Sequence, residues 1–458
     1  MTYTTMLQAI LKALKTATGV EVSSCLSARM GLAIELWAAM YEDVPPWLSC
    51  KQGIESAGIP SAIAMELARL VTCELKSSAS DEAVDEVYKR VINEIRIPTE
   101  YGCALGGALL KPYPGADGQI ATQYIRADRF FPLAFDSSGH VSECVLVEQV
   151  YSGKATFTRL EHYSLPERMI TNLAFKSTVP TSLGSPVSLE SVPQWAGMQE
   201  SARILGDKLP FGYFRVPMAN TIDPDSPLGV SVYGRAATLI KEADKKYSNI
   251  CWEYESKQAA VHIAASLLKR NEGTGNFEYP GGKERLYRTM VYNTGATDKP
   301  LLDTFSPDIR ADDLYKGYQS QLKMVEFVCG LAYGTISDPA DTDRTATEVR
   351  ISKQRLYVTV TDIQKALESA LTDMAAAIAL WLGKPAPELS FDWGDSVMTD
   401  SEAAARQALL EVQAGIIDNV EYYKRVYGLS EEAATKMAAD IAGRAPANAD
   451  FFAEGDGA

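Results

Sequence analysis

The sequence is poor in the residues and motifs on which most enzymes depend. Its 458 residues include only three histidines, His140, His162 and His262, and each stands alone among β-type residues. A histidine-based catalytic triad or a histidine-rich metal site therefore has little to draw on. The Walker-type phosphate-binding motif, a glycine separated by four residues from Gly-Lys-Ser/Thr, is absent, which argues against an ATPase of that class. We expect no catalytic residue, no metal site and no cofactor.

Two weaker patterns resemble ligand-binding loops. The segment 102–107, GCALGG, lacks the full spacing of a nucleotide loop and a preceding apolar strand, so we interpret it as a turn before a strand. Asp338, Asp341 and Asp343 are spaced somewhat like the acids of a calcium loop, but Pro339 intervenes. The glycine and the terminal glutamate of such a loop are also missing. Neither pattern predicts a ligand site.

Long apolar runs and paired cysteines are missing as well. No stretch of about 18 apolar residues occurs, so we expect no membrane-spanning helix. Residues 1–19 place their lysines inside an amphipathic helical pattern, which is not typical of a secretory signal. The seven cysteines are scattered and form no CxxC pair. This distribution predicts reduced thiols and synthesis in the cytoplasm.

Positive charge is in deficit, because 44 lysines and arginines face 59 acidic residues and give a net charge of −15. A protein that grips nucleic acid by neutralising phosphates needs clustered Lys and Arg, so this class is disfavoured. A negative surface still lets a duplex pass, since weak adhesion favours sliding. The charge alone does not choose between these two behaviours.

The remaining composition is that of an ordinary folded protein, with 46% hydrophobic and 22% charged residues. The length predicts more than one domain at about 150 residues per domain. Residues 1–97 have mainly helical patterns, whereas 98–217 contain short β-type runs, with a hairpin turn predicted at Asp136–Gly139. A short strand at Leu389–Trp393 and two or three helices follow near the C-terminus. We therefore predict a helix-rich, multidomain α+β fold.

The stretch 226–382 has the most distinctive organisation. Two helices carry narrow apolar stripes of alternating four- and three-residue spacing, and a β-rich segment separates them. A polar loop, 337–344, follows, and Thr345–Glu348 is a capping box that begins a long helix. The pattern predicts a helical stalk with a small tip. The stripe residues are Ala236, Ile240, Ala243, Tyr247, Ile250 and Tyr254 in the first helix, and Tyr315, Tyr318, Leu322 and Val325 in the second.

Three segments, read in order, carry a resemblance to a known family: Phe214–Glu255, Thr345–Val360 and Phe391–Asn419. Phe130–Gln149 fits more loosely. Together they resemble the portal proteins of tailed bacteriophages, in particular the siphovirus family of Gram-positive hosts. The order and spacing of the segments carry the likeness, and no single motif is diagnostic.

The resemblance implies the phage portal fold of wing, stem, clip and crown, in a ring of twelve subunits around a central channel at one capsid vertex. Residues 1–227, completed by 384–400, would form the wing, and 228–257 with 309–330 the stem helices. The clip would be 258–308, the tunnel loop 331–345, the linking long helix 346–383, and the crown with its tail 401–458.

The resemblance also implies a function and partners. The protein would be a non-enzymatic portal for double-stranded DNA packaging and ejection, located in the virion and assembled in the host cytoplasm. Its partners would be other copies of the chain, the DNA, the large terminase subunit, a head-completion or adaptor protein, and the scaffolding and major capsid proteins. Two other interpretations stay open: an α+β enzyme with an inserted helical domain, and another virion adaptor protein.

Within this interpretation the two apolar stripes would be contacts between subunits. Candidate DNA-facing residues on the stem are Lys241, Lys245, Lys246, Lys316 and Lys323, with ion pairing as the alternative role for each. In the tunnel loop they are Asp338, Asp341, Asp343 and Arg344, of which Arg344 would touch phosphate or close the bore. The alternative for the loop is a solvated connector between helices.

Overall fold

The computed structural model describes residues 1–19, 21–48, 53–115, 118–257, 260–264, 268–270, 277–278, 287–290, 302–305, 308–339, 346–394 and 401–442. The chain divides into two compact units, Met1–Phe391 and Asp392–Ala458.

The first unit begins with five helices around an apolar core. They are α1 (Tyr3–Thr18), α2 (Ala28–Tyr41), α3 (Ile59–Thr72), α4 (Glu82–Glu94) and α5 (Arg96–Leu105). Side-chain caps begin three of them, because Thr2, Ser27 and Asp81 each accept hydrogen bonds from amides of the first turn. The helices predicted by apolar periodicity are present as α1 to α4. α5 was not predicted, and the segment 102–107 forms its last turn, its cap at Gly106 and the start of the next strand.

Antiparallel sheets follow. One has the order β10-β2-β3, and the other, six-stranded sheet has the order β4-β5-β6-β7-β8 with β9 paired to β7. The strands are β2 (Gly107–Pro114), β3 (Ile120–Arg126), β4 (Phe130–Phe135), β5 (Val141–Ser152), β6 (Ala155–Ser164), β7 (Met169–Ser177), β8 (Ser185–Val187), β9 (Ser201–Arg203) and β10 (Gly212–Arg215). The predicted hairpin is confirmed: β4 pairs with β5, and Asp136 Oδ1 accepts from the amides of Ser138 and His140.

A buried cluster of charges joins the two sheets. Lys111 on β2 contacts the carboxylate of Glu161 on β6, and Arg159 Nη2 lies 3.5 Å from the same carboxylate. The Tyr163 hydroxyl donates to Glu161 Oε1 at 2.7 Å. Burial alone would raise the pKa of the Glu161 carboxyl, but the neighbouring charges of Lys111 and Arg159 hold it below its ordinary value. The cluster is thus a compensated ionic contact inside the sheet region.

Two antiparallel-packed helices come next, α6 (Ala237–Ser256) and α7 (Ala311–Val328), and a short helical turn at Gly234–Ala236 precedes α6. Between them lie β11 (Ala260–Ala264), β12 (Lys269–Arg270), β13 (Phe277–Glu278), β14 (Tyr287–Met290) and β15 (Leu302–Phe305). β11 is central in a small sheet of order β14-β11-β15. The predicted sequence of helix, β-rich segment and helix is therefore present.

The long helix α8 (Ala346–Trp381) has 36 residues, which corresponds to about 54 Å at 1.5 Å per residue. Its second half is buried, with Ile363, Leu367, Leu371 and Ile378 almost fully covered. At Gly212 on β10 an added Cβ would lie 2.0 Å from the Ala370 carbonyl oxygen. Glycine thus lets strand and helix backbones touch. β16 (Leu389–Asp392) follows and pairs with β1 (Lys76–Ala79).

The second unit contains α9 (Ser401–Gln413), α10 (Asn419–Tyr427) and α11 (Glu431–Ala442). α10 is capped by Asp418, and Arg425 on it reaches Glu411 of α9 at 3.3 Å. In the described part of the chain, no helix combines the length and apolar character needed to cross a lipid bilayer.

Candidate functional site

The apolar stripes of α6 and α7 face each other within one chain. Ile240 and Ala243 on α6 are fully buried, as are Leu322 and Val325 on α7, at 4% exposure or less. The Tyr247 and Tyr318 rings, also one from each helix, meet at 6.1 Å between centroids, and Ala236 is buried in the turn before α6. The sequence resemblance assigns these stripes to contacts between subunits. In the structure most of their surface is buried within one chain. Of the predicted stripe, Tyr254 and Tyr315 keep about half of their surface exposed, and Ile250 is half-buried.

Polar bonds reinforce this contact. Lys246 Nζ donates to Gln321 Oε1 at 2.9 Å and to the Gly317 carbonyl at 3.2 Å, so it links α6 to α7. Gln321 in turn donates to the Leu239 carbonyl at 3.0 Å. At the far end, Arg310 pairs with Glu253 at 3.1 Å. The two helices therefore form one stiff hairpin.

A buried glutamate at the end of α7 holds the segment that follows the helix. Glu326 is fully buried, and both of its carboxylate oxygens accept from the Gly334 amide, at 3.1 and 3.2 Å. Its Oε1 also accepts from the amides of Ile336 at 2.7 Å and Ser337 at 2.9 Å, and Oε2 accepts from the Ser337 hydroxyl at 2.8 Å. The residues 331–339, which we call the loop root, are thereby fixed to α7.

Further bonds tie the loop root to both neighbouring helices. Gln319 lies two helical turns before Glu326 on α7, and its Oε1 accepts from the Asp338 amide at 2.7 Å. On the other side, the Thr359 hydroxyl of α8 donates to the Gly330 carbonyl at 3.1 Å. Gly330 and Gly334 adopt positive φ values of 74° and 88°, which glycine tolerates without steric cost. The chain can therefore turn sharply twice and bring its amides onto Glu326.

Arg355 on α8 stacks between two aromatic rings. Its guanidinium carbon lies 4.7 Å from the centroid of the Phe327 ring on α7 and 5.0 Å from that of Tyr333 in the loop root. Such cation–π contacts stabilise by about 0.5–2 kcal/mol depending on burial. One of its nitrogens, Nη1, is buried and has no hydrogen-bond acceptor within the described residues. Arg355 thus joins α7, α8 and the loop root.

An apolar surface surrounds this arginine. Met324 and Phe327 on α7 are 53% and 59% exposed, and Ile351 and Val358 on α8 are 55% and 51% exposed. The α8 pair lies four residues before and three after Arg355, on the same side of the helix. We call Met324, Phe327, Ile351 and Val358 the α7–α8 apolar face. Large exposed apolar residues that adjoin one another mark interaction surfaces.

The predicted DNA-facing lysines have different surroundings. Lys245 pairs with Glu242 on the same helix at 2.7 Å, which is the ion-pairing alternative. Lys246 is used in the α6–α7 contact, where its acceptors are uncharged. Lys241 is half-buried and Lys323 likewise, whereas Lys316 is exposed. Lys316 shares its side of α7 with Met324 and Phe327 by helical spacing. Of the loop candidates, Asp338 lies in the loop root, and Asp341, Asp343 and Arg344 lie outside the described residues.

Sequence reasoning missed Glu326, Gln319 and Arg355. Glu326 and Gln319 are polar residues within the buried side of a helix. Their position next to Val325 and Leu322 was the available indication, because a carboxylate in an apolar stripe is buried only when it is hydrogen-bonded.

Two features of the described residues bear on an enzymatic site. Across the described ranges, no three His, Cys, Asp or Glu side chains converge to hold a metal ion. A cleft of about 550 Å³ is lined by the β4–β5 turn, residues 207–217 and α8. Its carboxylates are engaged: Asp207 pairs with Arg168 and Asp373 with Lys208, while Asp136 accepts the turn amides, which hold its pKa below the usual value.

A comparison with family models agrees with the portal resemblance of the sequence. The family model described as phage portal protein, SPP1 Gp6-like, matches residues 73–447. Among solved structures, a chain from the neck of a native GTA particle computed with C12 symmetry is similar, with 14% identity, a TM-score of 0.43, and coverage of 81% of this chain and 90% of that chain. Curated protein sequences give no match. The family match extends over most of the chain and confirms the resemblance, and the chain therefore belongs to the SPP1 Gp6-like family of phage portal proteins.

Proposed function

We propose that the protein is a non-enzymatic portal that forms a twelve-subunit ring, with a channel through which double-stranded DNA is packaged and ejected. Family membership supports this proposal. The single structural observation that carries it is the α7–α8 apolar face, which lies beside the loop root on a stiff helical hairpin. A monomer would leave this face in water, whereas a ring would cover it.

The apolar face is the surface that we assign to contact with a neighbouring subunit. In a closed ring each copy presents two different patches, one to each neighbour. The face combines exposed apolar side chains with Arg355, and aromatic residues, Met and Arg are enriched at protein interfaces. The buried α6–α7 stripes have a different role in this proposal, because they keep the hairpin stiff enough to present the face.

The DNA channel is assigned to polar surfaces. The outward side of α6 carries Lys241, Glu242, Lys245 and Asn249 by their spacing, so charges of both signs line most of it, with the exposed Trp252 toward its end. A wall with few unpaired cations binds phosphate weakly, so DNA slides instead of sticking. The loop that extends from the loop root, residues 340–345, would project toward the DNA with Asp341, Asp343 and Arg344.

The domain assignments and partners belong to the same proposal. The wing would be 1–227 with 384–400, the stem 228–257 and 309–330, the clip 258–308, the tunnel loop 331–345, the linking helix 346–383 and the crown 401–458. The clip strands at the tip of the hairpin would receive the large terminase subunit during packaging and an adaptor protein afterwards. Scaffolding and major capsid proteins would surround the ring at a vertex of the virion, after assembly in the host cytoplasm.

Electron microscopy of the purified oligomer viewed along its axis tests the proposal. We expect rings of twelve with a bore that admits B-form DNA, and a Phe327→Ser variant that forms fewer rings at equal concentration. Ser320→Ala, an exposed change on the same helix, is the matched control. A protein that stays monomeric even when it is co-produced with its capsid proteins would contradict the proposal, and a ring too narrow for a duplex would favour an adaptor.

A further inference from the structure

We propose that Glu326 is a positioning residue, which fixes the path of the loop root that precedes the loop at 340–345. The contacts that hold the loop root stand independently of any function. That the loop meets DNA rests on the proposed function above.

The chemistry of the contact explains why one carboxylate has this effect. Glu326 is fully buried and has no cationic partner among the described residues, so its charge depends on hydrogen-bond donors. The loop root supplies three backbone amides and one hydroxyl. Charge-assisted hydrogen bonds of this kind are about twice as strong as neutral ones. Any other path for residues 334–337 would leave a buried carboxylate without donors, so the charge selects one conformation.

The neighbouring contacts convert this local selection into a rigid connection. Gln319 holds the Asp338 amide, and Thr359 holds the Gly330 carbonyl. The loop root is therefore attached to α7 at two points, and α8 holds Gly330, the residue just before it. A displacement of α7 should carry the loop root with it, because Glu326 and Gln319 on α7 bind its amides directly.

The same attachment reaches the proposed contact with a neighbouring subunit. Tyr333 of the loop root lies against Arg355, and the other side of Arg355 lies against Phe327 of the α7–α8 apolar face. A neighbour that presses on Phe327 thus acts on the loop root through one guanidinium group. Glu326 holds residues 334–337 of the loop root in place, so a movement of Phe327 would displace the loop root as one unit.

Hydrogen exchange of the whole protein, in its assembled form, tests the positioning role. In a Glu326→Gln variant one acceptor oxygen becomes an NH₂ donor that faces the loop-root amides. The amides of Gly334, Ile336 and Ser337 should then exchange about tenfold faster or more, because a buried hydrogen-bond group that loses its partner favours local opening. Exchange in the buried half of α8 should change far less. Asp313→Asn, which removes a charge from an exposed position of α7, is the control and should leave the loop root unchanged.

A second variant guards against misfolding of the first. Ser337→Ala removes the hydroxyl that donates to Glu326 and accepts from the Gly334 amide, but it leaves the carboxylate in place. It should give a smaller acceleration confined to the same amides. Unchanged exchange of the loop root in both variants, or an equal acceleration throughout the chain, would overturn the proposal, because the effect would then be absent or merely one of global stability.

DNA packaging in particles assembled with these variants separates the inference from the proposed function. We expect rings of normal mass that package less DNA in the Glu326→Gln variant and normal amounts in Asp313→Asn. Faster loop-root exchange with unchanged packaging would leave the anchor standing and refute the DNA-contacting role of the loop.

Discussion

Leu322 and Phe327 lie little more than one turn apart on α7, yet substitutions at the two positions should have opposite consequences. Leu322 is 4% exposed and packs in the α6–α7 contact, whereas Phe327 is 59% exposed on the α7–α8 apolar face. Leu322→Ala should destabilise the folded chain itself. Phe327→Ser should leave the folded chain nearly unchanged and weaken association between chains.

The magnitude for Leu322 follows from what is removed. Leu→Ala deletes three carbon groups, which at about 0.8 kcal/mol each amounts to roughly 2.4 kcal/mol of lost burial. The cavity that remains raises the cost, so we expect about 3 kcal/mol of lost unfolding free energy. Phe327 already has most of its ring in water, so its replacement should cost a single chain only about 1 kcal/mol, mainly the lost contact with Arg355.

Two measurements separate the effects. Urea unfolding followed by circular dichroism, on protein dilute enough to sediment as a monomer, gives the stability of one chain. Mass measurement at rising protein concentration gives the fraction in rings, which depends on mass action. Ser320→Ala, exposed on the same helix, should match the parent in both. If Leu322→Ala instead left monomer stability unchanged and abolished rings, the α6–α7 stripe would be a contact between subunits and our reasoning would be refuted.

Three further predictions concern other parts of the chain. Glu161→Gln should cost about 3 kcal/mol at pH 7, because Lys111 stays buried without its partner. Since the folded pKa of Glu161 lies below its ordinary value of 4.5, the stabilisation is present above that pH and lost as the pH falls, so urea unfolding should show a smaller penalty at pH 4. Gly106→Ala should cost about 2 kcal/mol or more in the same assay, since φ is +87° and the new Cβ would lie 2.5 Å from the Gly229 carbonyl oxygen; an unchanged midpoint would contradict this. Lys241→Glu should reduce DNA packaging and leave ring mass unchanged, whereas loss of the rings would assign Lys241 to assembly.

Periodicity and turn chemistry predicted much of the fold, because they are local properties. The amphipathic helices and the Asp136–Gly139 hairpin each depend on residues within a few positions of one another. α5 was missed because Pro98 and Gly102 suggested a break. Pro98 lies in the first turn, where its missing amide costs no helical bond, and Gly102 is needed for packing, since an added Cβ would lie 2.3 Å from the Phe214 ring.

The parts that sequence could not supply depend on distant partners. β1 is a short polar strand, and it exists because β16, more than 300 residues later, pairs with it and the Ser78 and Ser390 hydroxyls bond at 2.8 Å. The stripe of α6 was recognised, but periodicity does not say whether its partner is α7 of the same chain or a neighbour. The role of Glu326 likewise depends on amides that its own helix does not contain.

The long helix α8 has an exposed N-terminal half and a buried C-terminal half, which allows one half to move relative to the other. From Val360 onward its apolar side is embedded in the body of the first unit, where Leu367, Leu371 and Ile378 are fully buried. Before that point Ile351, Tyr357 and Val358 stand in solvent. The helix is expected to bend most easily at Val358–Thr361, because its β-branched residues are weak helix formers. A displacement of the Ala346 end is therefore expected to bend the helix at this run, about 20 Å away along the helix axis, before it moves the sheets.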